Sequence, residues 1–151
     1  MRFSIPGVAL AVILYAIEFL GFTFYVAGAH QYITSYHAML NETRDFVDDV
    51  IDTKEITPQM LEEFNIALAS HEVVYSAEIF RFIRTVNPDP VHPGQTVTIW
   101  TLVDDSTTFN SGDRIQVICT PVSVGPYQAI ARSFLRLPAD NTKIVKTARI
   151  R

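Results

Sequence analysis

A single cysteine, Cys119, is all that the 151 residues contain. That excludes an internal disulfide and any multi-cysteine metal site. No glycine-rich phosphate loop, G-x-S-x-G, H-E-x-x-H or C-x-x-C motif occurs, so the common nucleotide, serine-hydrolase, zinc-protease and dithiol chemistries lack their residues. Four histidines are present. His30 and His37, seven apart, share a helix face without a third ligand in register, and His71 and His92 lie in unrelated contexts. They are expected on surfaces or at caps rather than on a metal. Repeats and low-complexity tracts are missing as well. No catalytic constellation remains, and the expectation is a protein that is not an enzyme and binds no cofactor or small-molecule substrate.

Charge is scarcest at the start. From Phe3 to Ala29 the one charged residue is Glu18, in a run longer than the roughly 20 residues that span a bilayer. A 7–15-residue signal-peptide core would be shorter and would hold no acid. Residues 1–29 are therefore expected to be the transmembrane half of a long helix. Cleavage at Ala27-Gly28-Ala29, releasing a secreted β domain, is the alternative. Arg2 before the run and acidic sequence after it place the N-terminus inside and the bulk of the chain outside.

Elsewhere charge is plentiful and polarised. The formal net charge is −4. Segment 41–63 has eight acids against two bases, and segment 132–151 has six bases against Asp140. Asp45, Asp48, Asp49 and Asp52 on one side, and Lys143, Lys146, Arg149 and Arg151 on the other, are candidate inter-subunit charges; two solvated faces are the plainer reading. An acidic chain exposed outside the cell is a poor nucleic-acid binder.

After Ala29 the pattern becomes one-sided. Tyr32, Tyr36, Met39, Thr43, Phe46 and Val50 recur at helical spacing, and residues 30–56 are expected to be the amphipathic continuation of the same helix, which runs from near Ile5 to near Asp52. At about 1.5 Å per residue it would be roughly 70 Å long, so its second half must pack on something outside the membrane. Thr57 followed by Pro58 signals a second helix within residues 57–71, roughly Pro58 to Ser70.

The remainder, residues 72–151, reads as β structure: 75–86, rich in aromatic and β-branched residues but impure in alternation, then 95–103, 114–120 and 143–151. Val97, Ile99 and Val103 share one face, with Thr96 and Thr98 on the other. Cys119 alternates in phase with Ile115 and Val117, hence inward. The long stretch after β-like 114–120 suggests a helical turn over Gln128–Phe134, and the charged last strand suits an exposed edge. Asp104, Asp105, Asn110 and Asp113 share a loop, but their spacing departs from the calcium-loop pattern, and loop solubility is the expectation. The fold class expected is α+β: a long transmembrane-to-extramembrane helix with a four-stranded antiparallel sheet packed on its C-terminal half.

The segment "IPGVALAVILYAIEFLGFTFYV" resembles the N-terminus of TadE-like pseudopilins, within the type IV pilin-like proteins. Pro6 matches the proline that opens the hydrophobic run, Ile17-Glu18-Phe19 matches the family's signature, and Gly21 falls two places late. The likeness covers about 20 residues, while over the β region it is architectural. It implies a structural subunit of a surface filament or of a related secretion or conjugation apparatus, membrane-bound before assembly, with itself or other pilin-like subunits as partners. Pilin-type cleavage after Gly7 would leave Glu18 eleventh rather than fifth. Glu18 and the small residues Gly7, Ala11, Gly21 and Gly28 are the candidate helix contacts. A single-span anchor carrying a non-polymerising adaptor domain is the competing expectation, with Glu18 paired to another membrane helix.

Overall fold

A computed structural model of the chain describes residues 5–104, 107–136 and 142–151. Arg2, Asp105 and Asp140, named above, lie outside them. Helix α1 runs without a break from Ile5 to Thr53, 49 residues. It ends where Lys54 turns left-handed, at φ 60°, with its N–H on the Val50 carbonyl at 2.8 Å, a cap that reuses an orphan carbonyl of the last turn. Helix α2 follows, Pro58–Ser70. Thr57 caps it by accepting the Met60 N–H at 3.2 Å, and Pro58 occupies the position that needs no donor.

Four strands then form one antiparallel sheet: β1 (Tyr75–Pro88), β2 (Thr96–Val103), β3 (Arg114–Pro121) and β4 (Ile144–Arg149), in the order β2-β1-β3-β4. Register puts Ala77 opposite Cys119, Ile79 opposite Val117, and Cys119 opposite Ile144. Because facing residues share a side of the sheet, the odd-numbered positions of β1 and β3 form the inner face. That face meets the one-sided half of α1. Met39, Phe46, Val47 and Val50 from the helix, Phe64 and Leu68 from α2, and Ile115, Val117, Cys119 and Ile144 from the sheet make one core. Phe46 and Phe64 stack at 4.3 Å between ring centroids.

The helix crosses β3 and β4, with no comparable contact to β2. Strand β2 therefore overhangs. Val97, Ile99 and Val103 do point to one side, as the alternation requires, yet Val97 and Ile99 remain exposed, because α1 does not reach β2. Between β3 and β4 a helix, α3, spans Pro126–Leu135, longer than the turn expected there. The C-terminal strand is an exposed edge, as its charges suggest.

One side chain departs from its sequence reading. Asp113 is no solubility residue. It is buried, and its Oδ2 accepts from Arg81 Nη2 at 2.8 Å and Nε at 2.9 Å and from the Asn110 N–H at 2.9 Å. This carboxylate faces the interior and closes the loop instead of facing a cation in solvent. His92 stands exposed in the β1–β2 turn, as expected for it, with Nδ1 3.0 Å from Asp89 Oδ2.

Candidate assembly surface along the apolar helix

From Pro6 to Phe24 every residue of α1 is exposed. Apart from Tyr25, which is half-buried, the large apolar side chains from Val8 to Val26 are between 48% and 73% exposed. A lone soluble domain does not leave such a surface to water. Among the described residues this is the one helix long and apolar enough to cross a membrane.

The helix has a single continuous seam. At about 100° per residue, Gly7, Ala11, Glu18, Gly21, Tyr25 and Gly28 fall within roughly 60° of one line along the cylinder. Tyr32, Tyr36, Met39, Thr43, Phe46 and Val50 continue the same line. The seam thus has two parts. Its upper part carries the side chains buried in the head. Its lower part carries small residues and one carboxylate. Glu18 lies on this lower part, exposed, and no hydrogen bond or ion pair to it is found among the described residues. Gly7 and Ala11 also edge a shallow apolar groove with Val8, Val12, Tyr15, Ala16 and Phe19. Nothing lies within 4 Å of the place where a Cβ would sit on Gly21, so that position is open for another helix to approach.

Gly28 differs. A Cβ there would stand 3.1 Å from both Cβ and Cδ2 of Tyr127, so α3 rests on α1 at this glycine. The Tyr127 ring lies 5.2 Å from that of Tyr25 and 6.1 Å from that of Tyr32. The neighbouring Tyr25 hydroxyl, with burial, pushes the Tyr127 hydroxyl above its ordinary range. The sequence assigned Gly28 to contact between subunits; within this chain it serves contact with α3.

The polarised charges come together in part within one chain. Asp48 and Asp52 of α1 and Lys146, Arg149 and Arg151 of the C-terminal segment line the same open cleft of about 830 Å³. Asp45 and Asp49 line a different hollow between α1 and α2, beside Glu42 and Glu63. Lys143 is exposed ahead of β4. Asp48 has an i,i+4 partner, Arg44, at 3.7 Å, an exposed pair of small energetic weight.

Cys119 points inward, fully buried, with its Sγ 3.5 Å from Thr43 Oγ1. Burial pushes its thiol up, which suits a core residue and not a nucleophile. No group of three or more metal-ligating side chains occurs among the described residues. The residues that sequence reasoning missed are Tyr25, Tyr127 and Arg81. The first two were legible only as aromatics, and Arg81 looked like one polar residue in an impure strand.

Comparison with protein-family models, with curated proteins and with solved structures yields no match to this chain.

Proposed function

We propose that the protein is a pilin-like structural subunit, akin to the TadE-like pseudopilins, that assembles through the apolar half of α1 into a surface filament or a related secretion or conjugation apparatus. The observation that carries this reading is the unbroken helix with a divided seam. Its upper half is the core of an α+β head, and its lower half presents small residues and Glu18, which has no partner among the described residues. Small residues let helix backbones approach closely in hydrocarbon. A carboxylate in that setting is costly unless it meets a polar or cationic group on a neighbour. A contact that joins two different faces repeats from copy to copy and leaves an open assembly. In this reading the N-terminus faces inward before assembly, the head lies outside, and the role is structural, not catalytic.

The test is electron microscopy of material sheared from cells that make the native chain or its Glu18→Ala variant. Filaments containing the native chain, and their loss in the variant while the head stays folded, are expected. Protein confined to the membrane fraction, with no filament in either case, would instead fit the single-span adaptor.

A further inference from the structure

Strand β3 runs toward the apolar half of α1. Its Cys119 lies against Thr43, and the chain that follows carries Tyr127 down to Gly28, one residue short of the end of the apolar run. The descent is about 15 residues of helix, or roughly 22 Å. The segment is pinned as it goes. The Val122 N–H donates to the Val74 carbonyl at 2.9 Å, and the Val74 N–H donates to Ser123 Oγ at 2.7 Å.

What this segment exposes is unlike the rest of the head. Val122 is 62% exposed, Val124 50% and Ile130 46%. Ile130 lies one turn from Tyr127 on α3. From Pro121 to Pro138 there is no acid, in a chain that has 16 of them, and there are two bases, Arg132 and Arg136. Both are exposed. The paired rings of Tyr25 and Tyr127 mark the level where aromatic residues gather at a bilayer boundary. A short amphipathic helix with aliphatic residues, tyrosine and arginine, and no acid, is suited to lie in the headgroup layer of an anionic membrane.

We propose that α3 and the Val122–Val124 segment form a lipid-docking surface of the head: Val122, Val124 and Ile130 enter the headgroup boundary, and Arg132 and Arg136 meet anionic headgroups. The surface holds the head against the bilayer until the subunit leaves it for an assembly. This rests on α1 spanning a bilayer, as the proposed function has it.

The single tryptophan, Trp100, lies on the sheet face away from α1, beneath Arg114 at 3.9 Å, and so provides an internal reference. The full chain is placed in vesicles of phosphatidylcholine and phosphatidylglycerol, one set with acyl chains brominated near the headgroup, which reports position 130, and one set brominated near the chain ends, which reports position 15, about 15 Å below Tyr25 along the helix. Fluorescence quenching is then read for the native chain and for W100F/I130W and W100F/Y15W. Position 130 is expected to be quenched at least about twofold more than Trp100, and adding R132E/R136E is expected to remove most of that excess. Strong quenching at position 15 with none in excess at 130 overturns the docking surface and leaves the membrane span intact. No quenching at position 15 overturns both. Excess quenching at 130 that is lost as chains crowd the vesicle gives the face to a second copy and also overturns the proposal.

Discussion

Arg81 and Asp113 form a buried ion pair between β1 and the start of β3, with Nη2 and Oδ2 2.8 Å apart and both side chains about nine-tenths covered. Asp113 also takes the Asn110 N–H, and Arg81 lies 5.8 Å from the centre of the Phe109 ring. One carboxylate therefore ties a strand, a loop and an aromatic side chain together. Removing a single member of such a pair leaves a buried charge uncompensated. Asp113→Ala is expected to destabilise the head by about 3–5 kcal/mol, read as a shift in the urea midpoint. Replacing both partners, Arg81→Met with Asp113→Leu, is expected to recover part of the loss, with about 1–3 kcal/mol still missing for the orphaned Asn110 N–H. A double variant no better than Asp113→Ala would refute the charge-burial account.

Cys119 is closed off by the helix that crosses it, so iodoacetamide is expected to leave it unmodified in the native protein and to label it in urea. Its thiol is raised in the folded state by burial. The stabilising contribution is therefore complete below the unfolded thiol value, about 8.5, and is lost as pH climbs from there through the raised folded value. Measured by urea unfolding at about pH 7 and about pH 10, the stability gap between the native chain and Cys119→Ala should narrow at the higher pH. A gap that widens would contradict the burial of the thiol.

Much of this architecture is written in spacing. The two α-helices of the N-terminal half, the four strands and the inward phase of Ile115, Val117 and Cys119 follow from local periodicity, because each element buries one side of itself and repeats apolar residues to do so. What spacing does not carry is which elements the helix covers. Val97 and Ile99 alternate like half-buried residues, yet α1 crosses the β3–β4 side and leaves them in solvent. Asp113 resembled its loop neighbours because its partner, Arg81, lies 32 residues earlier. Gly28 looked like a helix-contact glycine, and it is one, but the helix it receives is α3 of the same chain. Long-range pairing decides each of these cases, and no local pattern encodes it. Of the candidate site, the exposed seam with Glu18, Gly7, Ala11 and Gly21 was visible in the sequence; the docking of Tyr127 that closes its upper end was not.

Gly28 leaves no room for a side chain beneath Tyr127. Gly28→Leu is expected to displace α3 while the sheet keeps its structure, since the core residues lie further along α1. Trypsin should then cut after Arg132 several-fold faster than in the native chain, with little change in the urea midpoint of the sheet. Tyr127→Ala should act in the same direction. Unchanged cleavage in Gly28→Leu would mean that α3 is held by something other than this contact.

The central claim is that copies of the chain meet along the lower seam of α1. Its most direct measurement is oxidative cross-linking in native membranes of a chain with two introduced cysteines, Gly21→Cys on the seam and Thr23→Cys about 200° around the helix from it, so that each chain has a thiol for either neighbour; Gly21 is open, Thr23 is exposed and the one natural thiol is buried. A contact that repeats from copy to copy predicts a ladder reaching trimer and beyond, reduced several-fold when Glu18→Ala is added. A monomer band alone, or a ladder unchanged by Glu18→Ala, would contradict it.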